Sequence, residues 1–338
     1  MKTIIKTLLV SITSLSLMFS ANAGELSVSG TAKATYNMTS GEQVDNGIGL
    51  TNELNFTASG EMDNGYTWSY SMELDPSTTG SGQANNDDSQ LSLTMGELGT
   101  IKACVSECGN NKKYKWDQSA YTTMTDTGQS SGIVYPSDSG AANMATLQYH
   151  TPELPFSTTA SFAYASQSAD GSSGNAQGGT SGDSLEEYSI NTTPVDGLNI
   201  QAQYYKKNDY ADGVTTENQL EEGGAYAVTY AAGNVTIGYG RSMKAPEGSS
   251  IATGATTVEY YENTGMSIGY AVNDDLSLSF SREESEANYQ TSATVSNDVE
   301  MDSIQIAYSL GGATLSVARA EYENASYTLN NDIKIGRA

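Results

Sequence analysis

Residues 105–142 hold the densest mixture of groups able to do chemistry. Lys112, Lys113 and Lys115 run into Trp116 and Asp117, with Glu107, Asp126 and Asp138 nearby and Tyr114, Tyr121 and Tyr135 between them. Catalysis is a poor fit. The single histidine is His150, and no serine and orienting acid are patterned around it as a hydrolytic nucleophile would require. Cys104 and Cys108 are too few for a structural zinc, which takes four ligands; in an exported chain they read as a local disulfide clip. The runs ANNDDS (84–89) and NQLEEGG (218–224) offer oxygens to calcium. They lack the spaced ligands and turn glycine of an EF-hand loop, so they read as solvated loops and no cofactor is expected. What remains is electrostatic: a long loop of mixed charge and aromatics, suited to folding against a wall and acting on charge that comes near it.

The elements that would carry such a loop are written in a rule of two. In LSLSFS, residues 276–281, Leu276, Leu278 and Phe280 alternate with Ser277, Ser279 and Ser281. Successive side chains of a strand point to opposite faces, so one face is oily and the other wet. The first residues stand apart. Met1–Ala23 has a basic start at Lys2 and Lys6, an apolar middle and the small ending Ala21-Asn22-Ala23, which is the pattern of a Sec signal peptide cleaved before Gly24. Residues 24–338 are then one domain. No later stretch approaches the ~20 continuous apolar residues of a spanning helix.

The chain holds 15 basic and 40 acidic residues, a formal charge of −25. Two of the basic residues lie in the leader, leaving 13 against 40, or −27. That charge argues against nucleic acid or a bare anionic membrane surface as partner. High charge and low hydropathy alone would suggest disorder, but the sustained alternation and 22 tyrosines oppose it.

Short turn signals recur: MDNG at 62, GELG at 96, PELP at 152, PVDG at 194, AAGN at 231, VNDD at 272 and LGGA at 310. The gaps between them are 34, 56, 42, 37, 41 and 38 residues. Each gap holds a strand, a longer polar segment and a returning strand. Seven turns join fourteen strands, and one more at each end gives sixteen. Short turns on one side and long polar loops on the other are the layout of a transmembrane antiparallel β-barrel. A soluble sandwich would need two oily faces to meet in a core. Here the oily parity instead ends in tyrosines (Tyr36, Tyr164, Tyr204, Tyr239, Tyr270, Tyr308), as an interfacial aromatic girdle does. The oily face therefore looks out to lipid and the wet face in to water.

The one long gap, of 56 residues, lies around 105–142 and is the third long loop. With a signal peptide, sixteen strands and a lengthened third loop, nearly the whole mature chain resembles the general diffusion porins of Gram-negative outer membranes. It is most similar to those of alphaproteobacteria, with LSLTMGELGTIKAC (91–104) standing where they place the strand pair before the third loop. The resemblance implies a homotrimer of barrels in outer-membrane lipid and lipopolysaccharide, each with its third loop folded into the lumen to narrow a pore for small hydrophilic solutes. A solute-specific channel, and a surface scaffold or adhesin with working acidic loops, are the alternatives. Small residues on the lumen parity (Thr236, Gly238, Gly240, Ser277, Ser279, Ser281) favour the open pore. Rows of lumenal aromatics would favour the specific channel, and only Tyr205, Tyr261 and Tyr322 qualify.

Parity sorts the charges. Lys33, Glu53, Glu73, Lys102, Glu187, Lys207, Lys244, Glu259 and Glu283 fall on the wet face. Lys33, Glu53, Glu73 and Lys102 are read as lining the channel, and Lys207, Glu259 and Glu283 as solvating strand ends. Arg241, Arg282 and Arg319 share the oily parity, six or seven residues beyond their turns. At ~2.5 Å of height per residue, seven residues climb roughly 18 Å, near the outer edge of an apolar band ~25 Å tall. There they would meet lipid headgroups, with the pore wall as the alternative. The Lys112–Lys115 run either enters the lumen and makes the constriction mixed or sits on the loop's exposed shoulder. Net charge implies a weak cation preference. The chain closes in NNDIKIGRA, where Ile333 and Ile335 begin an oily stripe too short to span; the resembled family ends in an aromatic residue, so a shortened last strand is expected.

Overall fold

The computed structural model describes residues 25–41, 46–76, 84–105, 115–136, 145–165, 184–208, 217–249, 257–291 and 296–338. The expected signal peptide lies outside them. The alternating segments form strands β1 (Glu25–Gly41), β2 (Asn46–Glu61), β3 (Thr67–Pro76), β4 (Ala84–Thr94), β5 (Thr100–Val105), β6 (Thr146–His150), β7 (Thr159–Ala165), β8 (Leu185–Val195) and β9 (Leu198–Lys207). They continue with β10 (Glu217–Gln219), β11 (Glu222–Ala232), β12 (Val235–Ala245), β13 (Gly248–Ser249), β14 (Val258–Ala271), β15 (Leu276–Tyr289), β16 (Val299–Leu310), β17 (Ala313–Glu323) and β18 (Ile333–Arg337). Sixteen of them close one antiparallel barrel, and β10 pairs with β13 in a separate two-stranded sheet between the loops. The barrel strand count is the one the turn rhythm gives. Closure leaves no open sheet edge along the ladder order, which is what lets strands stand in lipid.

Alternate strand pairs are joined by short turns such as Gly233-Asn234 and Gly311-Gly312, where Gly233 and Gly311 take φ of +59° and +65°. Only residues without a Cβ adopt such angles without strain, which is why the chain turns there in two residues. On β15, Leu278, Phe280, Arg282, Glu284 and Glu286 are exposed while Ser279, Ser281, Glu283, Ser285 and Ala287 are buried. The same split runs around the wall, with Ile237, Tyr239, Met266, Ile268, Ile304, Ile306, Leu315 and Val317 outside. Tyr36, Tyr204, Tyr239, Tyr270 and Tyr308 are exposed on that outer face too. An oily outside with tyrosines toward its ends is the surface of a barrel set in a bilayer.

The inner face is not uniformly wet. Trp116, Met124, Ile133, Val299, Met301, Tyr322, Ile333 and Ile335 form one buried apolar cluster inside the barrel. Ile333 and Ile335 thus face inward, and the oily stripe expected of them as a lipid-facing strand is corrected: their parity serves this interior packing. β18 is five residues long, and its register runs from Ile333 opposite Gly41 to Arg337 opposite Asn37.

Candidate pore constriction

The described part of the long loop, residues 115–136, runs along the inner wall. Its start is tied to β9, where the Lys115 amide donates to Gln201 Oε1 at 2.7 Å. The Ser267 hydroxyl of β14 donates to the Trp116 carbonyl and accepts from the Gln118 amide, both at 2.8 Å. Ser279 of β15 accepts from the Ala120 amide at 2.8 Å, and Gln305 Oε1 of β16 from the amides of Tyr121 and Thr122. A loop buried against a wall must have its backbone polar groups met there, and short hydroxyl side chains on the wet parity meet them.

The loop then returns nearer the outer rim. The Ser326 amide donates to the Ser131 carbonyl, Asn263 Nδ2 donates to the Val134 carbonyl at 3.0 Å, and Tyr135 donates to Glu283 Oε2 at 2.6 Å. Asp117 is consumed holding the loop to itself and to β15. Its Oδ1 accepts from Ser281 at 2.6 Å and from Ser119, and its Oδ2 from the Met124 amide at 2.7 Å.

Asp126 holds the far end of the loop to the seam between first and last strands. It pairs with Lys33 of β1 at 2.7 Å and Arg337 of β18 at 2.6 Å, and accepts from the Thr122 hydroxyl at 2.6 Å. Arg337 also donates to the Asp126 carbonyl, and Thr127 bonds Tyr322 of β17. Partial burial pushes the Asp126 carboxyl up, but hydrogen bonds from Lys33, Thr122 and Arg337 outweigh it and hold the group at about 2. Sequence reasoning missed Arg337. Its parity could have been found only by placing Ile333 and Ile335 inside, which the oily-outside rule forbids.

The loop covers the wall from β9 through β12, β14, β15 and β16 to the seam, which leaves the wall of β2 to β5 facing the passage, whereas the inward residues Thr146, Gln148, Ser161, Ala163 and Glu187 of β6 to β8 are buried. Glu53 is exposed on β2, in reach of the Thr31 hydroxyl at 3.5 Å. Glu73 lies on the same side of β3, in register with Asn55. Lys102 is half-buried on β5, between Ser92 and Gln148. His150, at the turn end of β6, shares a 2.9 Å hydrogen bond with Gln148.

Several expectations are corrected. Lys207 and Glu283 do not solvate strand ends. Lys207 is half-buried against Glu221 at 3.1 Å and Glu247 at 3.5 Å, with Lys244 4.0 Å from Glu221. Glu283 is 2% exposed beneath the loop, whereas Glu259 is exposed. Glu187 is buried on β8. Tyr205 and Tyr322 are buried and Tyr261 packs on Tyr327 with ring centroids 5.3 Å apart, so none of the three offers a lumenal aromatic row. Gly238, Gly240, Ser279 and Ser281 are small because the loop lies on them, not because water does.

Arg241, Arg282 and Arg319 all point away from the lumen, in ion pairs on the outer wall. Arg241 pairs with Glu262, Arg282 with Glu300 at 2.5 Å and Asp302 at 3.4 Å, and Arg319 with Glu321. Cys104 is disulfide-bonded and no described cysteine is free. Cys108, Lys112, Lys113, Glu107 and Asp138 lie outside the described residues. Among the described residues no group of His, Cys, Asp and Glu could hold a metal.

Solved structures with this architecture are many. OmpF of Salmonella typhi, solved in complex with daunomycin, superposes with a TM-score of 0.69 at 16% identity, covering 93% of this chain and 97% of that one. An anion-selective porin from Comamonas acidovorans gives 0.68 at 13%, covering 93% and 98%. The outer-membrane protein OmpT of Vibrio cholerae, in its trimer form, gives 0.67 at 14%, covering 94% and 98%. No curated protein sequence matches the chain. The family model described as Gram-negative porin matches residues 9–331. With that match over nearly the whole chain, and a closed sixteen-stranded barrel that carries its long loop inside, the chain belongs to the Gram-negative porin family.

Proposed function

We propose that this chain forms a water-filled pore of the outer membrane through which small hydrophilic solutes and ions diffuse passively. The observation that carries the reading is the loop of residues 115–136, bonded along one half of the inner wall while the opposite half keeps a polar lining. Such an arrangement sets an upper size for solutes without offering any one of them a binding site. Swelling of proteoliposomes in sugars of graded size tests it. Rates falling smoothly with solute mass support free diffusion, and a rate confined to one sugar would instead support a specific channel.

A weak preference for cations follows from two facts. The described charges on the loop and on the open wall beside it, Lys33, Lys102, Lys115 and Arg337 against Glu53, Glu73, Asp117 and Asp126, balance, whereas the whole chain is at −25. The excess acid acts from the loops and rim, at distances that salt screens. Trimeric assembly is supported by the likeness to OmpT of Vibrio cholerae, solved in a trimer form. Lipopolysaccharide headgroups are the proposed partners of the outward-facing Arg241, Arg282 and Arg319, which stand at similar distances from their turns. Met1–Ala23 is read as the export signal, so the mass of the mature protein should correspond to a start at Gly24.

A further inference from the structure

The strand pair β12 and β14 carries a patch of the wall built almost without side chains. Gly240 stands directly opposite Gly265 in the register, and Gly238 stands opposite Ser267 in the next inward pair. Glycine in a strand interior weakens it and commonly marks the close approach of another backbone. Here the approaching group is Trp116. A Cβ on Gly240 would overlap the Trp116 side chain at its Cβ, Cγ and Cδ1, one on Gly265 would overlap the six-membered part of the indole, and one on Gly238 would overlap the Trp116 carbonyl oxygen. A Cβ on Gly269, two residues beyond Ser267 on β14, would come within 2.9 Å of the Gln118 carbonyl oxygen. Trp116 is 7% exposed and joins the interior cluster with Ala227, the residue of β11 opposite Gly240.

We infer that Trp116 is the positioning residue of the constriction loop, seated in a socket formed by Gly238, Gly240 and Gly265, and that this socket sets where the loop lies and so how wide the pore is. The inference rests on the pore reading for its consequence but not for its geometry. Ring and carbonyl fit only a wall with no Cβ at three positions, and Ser267 fixes the depth by bonding the Trp116 carbonyl and the Gln118 amide together. Any side chain at the socket must lift the loop toward the passage. Loss of the indole must remove that seat and leave the loop to its hydrogen bonds, the Asp126 pairs and the packing of Met124 and Ile133.

The two tryptophans make the test direct. Trp68 lies on β3 opposite Gly60, so W68F leaves Trp116 as the one indole. In the refolded W68F protein, aqueous iodide should quench the remaining fluorescence weakly, and brominated phospholipid should quench it weakly too. Adding Gly240→Ala or Gly265→Ala should raise iodide quenching several-fold and change single-channel conductance. Gly47→Ala, whose added Cβ meets nothing within 4 Å, should change neither. If the glycine variants fail to fold, W116A with native glycines still reads the socket. Its conductance should differ from the parent, and W116A with Gly240→Ala should match W116A alone, because the alanine then fills vacated space. Unchanged quenching and conductance in the folded glycine variants would overturn the socket. Altered quenching with no conductance in any variant would leave the socket standing and remove the pore.

Discussion

Asp126 shows what one loop carboxylate can do in this barrel. It accepts from Lys33 on the first barrel strand and Arg337 on the last. Its folded pKa of about 2 lies below the ordinary 3.8. A carboxylate depressed in the folded state contributes stability that is full above its unfolded pKa and is lost as pH falls through the folded one. The loop end should therefore stay anchored down to about pH 4 and loosen between about 4 and 2. Asp126→Asn should remove that pH dependence and cost on the order of 1 kcal/mol, discounted because the group is partly exposed. Denaturant unfolding from pH 7 to 2.5 measures both. Lys33 was legible from strand parity, because Leu26, Val28, Ala32 and Ala34 fix the oily side of β1. Its partner was not legible, since nothing local in TMTDTGQ says which of the strands it will touch.

Strands read well from the sequence where one face meets lipid and the other meets polar groups. On β15 the alternation of Leu278 and Phe280 with Ser279 and Ser281 fixes both faces, and β12, β14 and β16 follow it. Phe280→Arg should therefore destabilise the folded barrel by about 2–4 kcal/mol, as cations do near the bilayer midplane, measured by unfolding from lipid vesicles. Arg282→Ala, two residues nearer the outer edge and paired with Glu300 and Asp302 on the outer wall, should cost less than about 1 kcal/mol. The reading failed where an element meets the loop instead of water. Val299, Met301, Ile333 and Ile335 are apolar on the inner face because the loop covers them, and a rule that equates apolar with outside places them wrongly. The glycines of β12 and β14 misled in the same way: an absent side chain looks the same beside water or beneath an indole.

At the scale of the whole molecule, charge and function separate. The chain carries 40 acidic residues against 15 basic, yet the described charges on the loop and on the open wall beside it are balanced. Selectivity should then come from the mouth and depend on salt, since the Debye length falls from about 30 Å at 0.01 M to about 3 Å at 1 M. Reversal potentials in KCl gradients should show a cation preference at the low end that disappears at the high end. A fixed preference at both ends would place the selecting charges in the constriction itself. The barrel, its strand number and its long loop were legible from turn spacing and alternation, because those are imposed by a bilayer of fixed thickness. The shape of the passage depends on where one loop lands, which only the folded chain reveals. The most direct test of the account is single-channel recording of the refolded protein in planar bilayers. Open, ohmic steps grouped in threes, with W116A differing in unit conductance, are the predicted result; silence from correctly folded and inserted protein would contradict it.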